Sequence, residues 1–116
     1  MESAQISTVH EISIGNCDPE KPIRVTGRVM NIPDQSCHLV LKEVFLPNCD
    51  STIAIDTTFI SDSPIQQGSL YEFTGDLVGH SCPPSLKSRT LRSVDGLDTI
   101  KYYKALLLQR EFLSNR

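Results

Sequence analysis

Glycine-marked corners in the second half of the chain constrain the fold most. Gly68-Ser69-Leu70-Tyr71 leads into Gly75-Asp76-Leu77 and, one strand later, into Val94-Asp95-Gly96. A turn glycine, a strand bent by a second glycine, another strand and an Asp-Gly corner before a terminal helix are typical of the closing half of a small β-barrel. Since 116 residues suffice for one modest core, we expect residues 1–116 to form a single domain, with residues 1–9 as a flexible N-terminus.

Five segments carry strand patterns. The clearest is 23–30, in which apolar and polar residues alternate with period two, so that Arg24, Thr26 and Arg28 are expected on the outside. The other predicted strands are residues 37–44, 52–56, 69–78 and 86–94. Five strands before a late helix predict an all-β fold with a terminal helix, namely a five-stranded OB-fold β-barrel plus a C-terminal α-helix at residues 99–114.

Two finer expectations concern the second half of this barrel. In the fifth strand we expect Lys87, Arg89, Leu91 and Ser93 to share one face. The polar connector 57–67 has few apolar residues that could anchor it to the barrel. These are Phe59, Ile60 and Ile65.

The terminal helix has more apolar surface than one barrel covers. Thr99, or Asp98 before it, can cap its start, and no Gly or Pro interrupts residues 100–113. Because a helix on a single barrel needs an apolar stripe of about 100°, the excess indicates a partner, most simply another helix. The alternative is a helix tucked deeply into its own domain. One broad apolar arc contains Ile100, Tyr102, Tyr103, Leu106, Leu107 and Leu113, and a second patch contains Ala105, Leu108 and Phe112.

Several of these segments, in this order and spacing, resemble the Ten subunit of the telomeric CST complex. They are Lys21-Pro22-Ile23-Arg24-Val25-Thr26-Gly27-Arg28-Val29, the Gly68-Ser69-Leu70-Tyr71 segment with Gly75-Asp76-Leu77, Val94-Asp95-Gly96, and Gln109-Arg110-Glu111-Phe112. The likeness covers most of the chain from His10 onward, but not the connector or residues 81–85. It implies an OB-fold protein that forms a heterodimer with an Stn-type OB-fold subunit and joins a Ctc-type large subunit on single-stranded G-rich telomeric DNA.

The resemblance also implies a role and a set of partner-binding residues. The complex would act in the nucleus at chromosome ends, protecting them and regulating telomerase and polymerase α-primase fill-in. For Phe112 and Arg116 the alternatives are a fraying chain end and a solvated terminal charge. The positions that match the family's pairing surface are Arg24, Tyr103, Leu107, Arg110, Phe112 and Arg116.

Direct DNA binding is less well supported by the residues. The net charge is −3 and the sequence pI is about 5.5, which argues against tight nucleic-acid binding by this chain alone, because phosphate neutralisation supplies most of that affinity. Only seven aromatic residues are available for stacking. We therefore expect weak binding that contributes within the assembly, and a solvated strand face is an equal alternative for the cations. The candidate DNA-binding residues are Arg28, Lys42, Lys87, Arg89 and Arg92.

Catalytic, metal and membrane functions lack a motif. No nucleophile elbow, zincin helix, P-loop or dinucleotide motif occurs, so we expect a non-enzymatic protein without a cofactor or metal. Cys17, Cys37, Cys49 and Cys82 form no Cys-x-x-Cys pair. No apolar run approaches a membrane span, and the N-terminus lacks a secretory pattern, which favours an intracellular protein. Two alternatives remain: another small OB-fold subunit of a replication protein A-like complex, and a small enzyme using a Cys/His site.

Overall fold

A computed structural model describes residues 4–32, 37–78 and 84–114. In these ranges the strands surround one apolar core, and a long helix follows the last strand. A short 3-10 turn lies at Thr58–Ile60. In chain order the elements are β1 (Gln5–Ser7), α1 (Val9–Ser13), β2 (Ile23–Val29), β3 (His38–Lys42), β4 (Thr52–Asp56), β5 (Leu70–Leu77), β6 (Ser85–Ser93) and α2 (Thr99–Ser114).

Five of the strands close into a barrel. Their order is β2-β3-β4-β6-β5, and β5 pairs back with β2. The β4–β6 pair is parallel, whereas the other pairs of the barrel are antiparallel. This is the strand order of an OB-fold, so the predicted five-stranded barrel with a C-terminal helix is confirmed, and the predicted strands agree with the observed ones to within about two residues.

Residues 1–9 were expected to be a flexible N-terminus, but the part of this segment that the structure describes, residues 4–9, contains regular structure. Gln5–Ser7 forms β1, which pairs in parallel with β2. Thr8 then caps α1: its hydroxyl accepts the N–H of Glu11 at 3.1 Å, and the Glu11 carboxylate accepts the N–H of Thr8 at 2.8 Å. This reciprocal capping fixes the short helix while Val9 and Ile12 are buried in the core.

The core fills the barrel with side chains from every barrel strand. Alternate residues of β2, β3 and β4 point inward, as period two requires. Thr26 is an exception to the prediction, because it was expected outside but is only 3% exposed. It lies opposite Glu72 in the β2–β5 ladder, and Glu72 is itself buried. The largest fully buried barrel residues are Ile23, Val25, Val29, Leu39, Leu41, Ile53, Ile55, Phe73 and Leu86.

The register of β5 and β6 shifts between Thr74 and Gly75, which marks a β-bulge. The shift corrects the predicted common face of Lys87, Arg89, Leu91 and Ser93. Lys87, before the shift, and Arg89, which the shift leaves out of the ladder register, are exposed, whereas Leu91 beyond the shift packs against the core. The change of face occurs because the extra residue of a bulge reverses the alternation of the strand that contains it.

The predicted corners are present. Gly68 has φ +88° just before β5, and Gly96 has φ +87° between β6 and α2. Both lie in the left-handed region, where glycine is favoured. Within the described ranges, neither helix is long and apolar enough to cross a membrane.

Candidate partner-binding surface

Helix α2 leaves the barrel at a fixed corner. The N–H of Leu70 donates to the Asp95 carboxylate at 2.9 Å, which ties the corner to β5. Asp98 then caps the helix, since its carboxylate accepts the N–H of Lys101 at 3.1 Å. The sequence predicted either Thr99 or Asp98 as the cap, and in the structure Asp98 accepts the capping hydrogen bond. The direction in which α2 runs is therefore set by local hydrogen bonds.

One stripe of α2 docks on the rest of the protein. Phe45, in the loop between β3 and β4, stacks against Tyr102 and Tyr103, with ring centroids 5.2 and 5.9 Å apart. One turn further along, Leu106 is buried. Because residues at i, i+3 and i+4 lie on the same side of a helix, these contacts define the docked face.

Arg110 continues that stripe and fastens the far half of α2. Its guanidinium donates to both carboxylate oxygens of Glu11, at 2.8 and 2.9 Å, and to the carbonyl of Ile6 at 2.7 Å. Burial opposes ionisation of Glu11, yet the hydrogen bonds from Arg110 and Thr8 outweigh it and lower the pKa of that carboxyl. Sequence reasoning gave Arg110 a role in partner binding, and the structure shows it in intramolecular contacts.

Most of the remaining apolar surface of α2 faces outward. Of the predicted broad arc only Leu106 is buried, and Tyr102 and Tyr103 are half-buried. The helix is thus not tucked deeply into its own domain, and its apolar surplus is present at the surface, as a partner-binding helix would show. The exposed residues, each at least 44% accessible, are Ile100, Leu107, Leu108, Phe112 and Leu113.

Arg24 lies near the C-terminal half of α2. In the β1–β2 pair it is in register with Ile6, whose carbonyl binds Arg110. The Arg24 side chain also lies 3.7 Å from the Glu72 carboxylate. Of the predicted helix positions, the structure thus relates Arg24 to Arg110 through Ile6, whereas Arg116 lies outside the described residues.

The candidate DNA-binding cations fall into two groups. Arg28 and Lys42 are paired in the β2–β3 ladder. Arg28 donates to the carbonyl of Gly68, and Lys42 lies 3.4 Å from the Asp50 carboxylate.

The second group lies on β6 and is interleaved with carboxylates. Arg89 pairs with Asp76 at 3.0 Å, and Arg92 pairs with Glu72 at 3.2 Å. Lys87 is in register with Asp56 on one side and with Asp76 on the other. We call this surface, formed by Lys87, Arg89 and Arg92 with the facing carboxylates, the β5–β6 wall. It has the alternating charges of a solvated strand face, which was the alternative to a DNA groove.

Phe59 is a surface residue whose exposed position was not predicted from the sequence. Of the three residues expected to anchor the connector, Ile60 is buried and Ile65 packs against the core, whereas Phe59 is 63% exposed. The ammonium of Lys87 lies 4.7 Å from the centre of the Phe59 ring, within the range of a cation–π contact. An exposed ring beside a cation is the arrangement on which a nucleic-acid base stacks. A polar segment followed by an isolated aromatic residue was its only sequence signal.

Around the cysteines, the described part of the chain holds no group of three or more His, Cys, Asp or Glu side chains that could bind a metal. Cys17, Cys37 and Cys49 are free thiols. Cys82 lies outside the described residues.

Comparison with known proteins gives a family match and a curated relative. A family model described as "Telomere-capping, CST complex subunit" matches residues 1–116. Arabidopsis thaliana CST complex subunit TEN1 is 39% identical over 66 residues, which cover 53% of this chain and 50% of the relative. The match thus spans about half the length of that curated relative.

Solved structures agree on the fold. A chain in the crystal structure of the S. pombe Stn1–Ten1 complex superposes with a TM-score of 0.68 at 19% identity, covering 95% of this chain and 93% of its own. The S. pombe telomere capping protein Ten1 gives a TM-score of 0.67 at 19% identity, covering 94% of this chain and 98% of its own. At this identity the similarity concerns the architecture.

Proposed function

The chain belongs to the family of telomere-capping CST complex subunits, and we propose that it pairs with an Stn-type OB-fold subunit through the exposed face of α2. One similar fold was solved as a chain of an Stn1–Ten1 complex, which supports this choice of partner. In this proposal the protein is a non-enzymatic subunit that presents the exposed face of α2 to its partner.

The observation that carries the proposal is the division of α2 into two faces. One face is fastened by Phe45 and Arg110, and the other exposes Leu108 and Phe112, with Leu107 exposed at the edge between the two faces. A helix fixed by one side loses little conformational entropy when the other side is covered, so the surface is preorganised for binding. Aromatic and leucine side chains on such a face are typical anchors of a helix-on-helix interface.

The wider role follows from the assembly. We propose that the heterodimer joins a Ctc-type large subunit on single-stranded G-rich DNA at chromosome ends in the nucleus. There it would protect the ends and regulate telomerase and polymerase α-primase fill-in. Within this complex we assign the present chain a supporting contact with DNA at most, because Arg24, Lys42, Arg89 and Arg92 face carboxylates and the net charge is negative.

Co-expression with the Stn-type subunit of the same organism tests the pairing. We expect a one-to-one complex by size-exclusion chromatography with light scattering. Leu107→Glu or Phe112→Glu should weaken it at least about tenfold, because a carboxylate would be buried without a partner. Gln109→Glu is the matched control, since it adds the same charge at an exposed polar position of the same helix.

The alternatives give different outcomes. Retained pairing in the Leu107→Glu and Phe112→Glu proteins, with far-UV circular dichroism unchanged, would remove α2 from the interface. A parent chain that ignores the Stn-type subunit but pairs with the middle subunit of a replication protein A-like complex would assign it to that other class of OB-fold assembly.

A further inference from the structure

Cys49 and Ser51, two residues apart in the loop before β4, meet the distant residue His10. The Sγ of Cys49 lies 3.3 Å from the hydroxyl of Ser51 and 3.6 Å from Nδ1 of His10. The same hydroxyl lies 2.8 Å from Nδ1 of His10. The proposed function uses none of these groups.

The loop geometry brings the thiol back toward α1. Asn48 has φ +58°, in the left-handed region that asparagine tolerates better than most residues. The backbone then turns, and β4 begins at Thr52. On the other side, the buried Glu43 carboxylate accepts the N–H of His10 at 2.9 Å. The backbone conformation at Asn48 therefore positions Cys49, and the hydrogen bond to Glu43 positions His10.

We propose that Cys49, Ser51 and His10 form a reactive-thiol site whose substrates are low-molecular-weight disulfides such as glutathione disulfide. The thiol donates to the Ser51 oxygen, and the Ser51 hydroxyl donates to His10 Nδ1, so that the imidazole can take up the thiol proton. A thiol with an adjacent imidazole base is the arrangement that activates cysteine nucleophiles. Cys49 is only partly buried, so a small disulfide can reach it.

The reaction is a thiol–disulfide exchange. The Cys49 proton passes through Ser51 to His10, and the resulting thiolate attacks one sulfur of the disulfide. An S–S bond forms to Cys49 as the original S–S bond breaks, and its electron pair leaves on the departing thiolate, which takes the proton from His10. The products are a mixed disulfide on Cys49 and one free thiol, so no further oxidant is needed.

The charged groups around the cluster already have other contacts. The Glu43 carboxylate also accepts the N–H of Phe45 at 2.7 Å. Asp50 lies 3.4 Å from Lys42, and Glu11, which follows His10, is bound to Arg110. The imidazole is thus the base closest to the thiol, at 3.6 Å.

Cys17 provides an internal control in the same molecule. Burial raises the pKa of the Cys17 thiol, and the charges of Glu11 and Asp18 raise it further. Because the thiolate is the reacting species, Cys17 should react slowly at neutral pH. The two cysteines can be compared in one tube by mass spectrometry of the peptides that contain them.

The experiment is incubation of the folded full-length chain with glutathione disulfide at pH 7. We expect a mixed disulfide at Cys49 at least about tenfold faster than at Cys17. His10→Asn should slow the reaction at Cys49 about tenfold, and Ser51→Ala should slow it less. The effect of His10→Asn should shrink as the pH rises, because hydroxide then ionises the thiol without the imidazole.

A merely structural role for His10 would give a different pattern. A change in accessibility alone would produce a rate ratio that does not vary with pH. In denaturant the two thiols should react at similar rates, which shows that the difference belongs to the fold. The proposal is overturned if Cys49 in the folded protein reacts no faster than Cys17, or if His10→Asn retains the parent circular dichroism spectrum and the parent rate.

Discussion

At the scale of single residues, Gly75 has the least room for a side chain among the glycines that the structure describes. A Cβ added there would lie 2.0 Å from the carbonyl oxygen of Lys87 and 2.8 Å from the Cα of Ser88. Both contacts are with backbone of the paired strand β6, which cannot rotate away as a flexible side chain can. Glycine at the bulge is therefore required by the close approach of β5 and β6.

Gly75→Ala should consequently lower the free energy of unfolding by about 2–4 kcal/mol, because the barrel must open locally to admit the methyl group. Gly96→Ala is the comparison: its Cβ would meet no atom within 4 Å, although its φ is +87°, so the loss should be about 1 kcal/mol. Urea unfolding followed by circular dichroism measures both. Equal losses would show that the bulge relaxes at little cost.

At the scale of elements, α2 depends on a residue nearly a hundred positions away in the chain. Arg110 binds Glu11, and Glu11 also completes the capping box of α1 with Thr8. One carboxylate therefore links the start of α1 to the end of α2. The link is partly shielded from water, which makes it stronger than a fully exposed ion pair.

This link predicts a pH dependence of stability. Because the pKa of Glu11 is lowered from its ordinary value of 4.5, the ionised carboxyl stabilises the fold above that value, and the stabilisation is lost as the pH falls through the lowered pKa. Glu11→Gln keeps a capping acceptor but removes the charge, so it should cost about 1 kcal/mol at pH 7.

The difference between the parent and the Glu11→Gln protein should close below pH 4.5, as followed by the midpoint of urea unfolding. Glu111→Gln, at an exposed position of α2, should change little at any pH. A Glu11→Gln deficit that persists unchanged at acid pH would mean that side-chain shape, and not charge, holds the two helices together.

Elements with a clear periodicity were predictable from the sequence. The alternation of β2 and the uninterrupted run of α2 fixed their positions to within about two residues. In contrast, α1 has only five residues, too few for a helical period. Its Thr-x-x-Glu capping box was a sequence signal for the start of a helix, but the sequence prediction did not use it.

Contacts between segments that are distant in the chain could not be predicted from the sequence. The Glu11–Arg110 pair and the His10–Cys49 cluster join residues that are far apart in the chain, and composition cannot reveal them. The outward position of Phe59 depends on how a 3-10 turn seats Ile60 in the core. The position of Leu91 depends on the bulge at Gly75. Each of these results from packing in three dimensions and not from local pattern.

At the scale of the whole molecule, the surface has two distinct parts. The extents of 46 × 30 × 28 Å describe an elongated body, and α2 is about 24 Å long. Its exposed face is apolar, whereas the β5–β6 wall carries Lys87, Arg89 and Arg92 among carboxylates. Partner pairing through α2 and any contact of Lys87 with DNA would therefore use different regions, so that variants of these residues can separate the two roles, whereas Arg24 and Arg92 meet at Glu72.

A matched pair of charge reversals tests whether the β5–β6 wall contacts DNA in the assembled complex. Lys87→Glu and Lys21→Glu change the net charge equally, but only Lys87 lies against the exposed Phe59 ring. If the wall contacts phosphates, Lys87→Glu should weaken binding to single-stranded G-rich DNA and reduce the slope of log K against log salt concentration by about one. Fluorescence anisotropy over a salt series measures this slope. Equal slopes for the two variants and the parent would show that Lys87 is solvated in the complex, and that other subunits contact the phosphates.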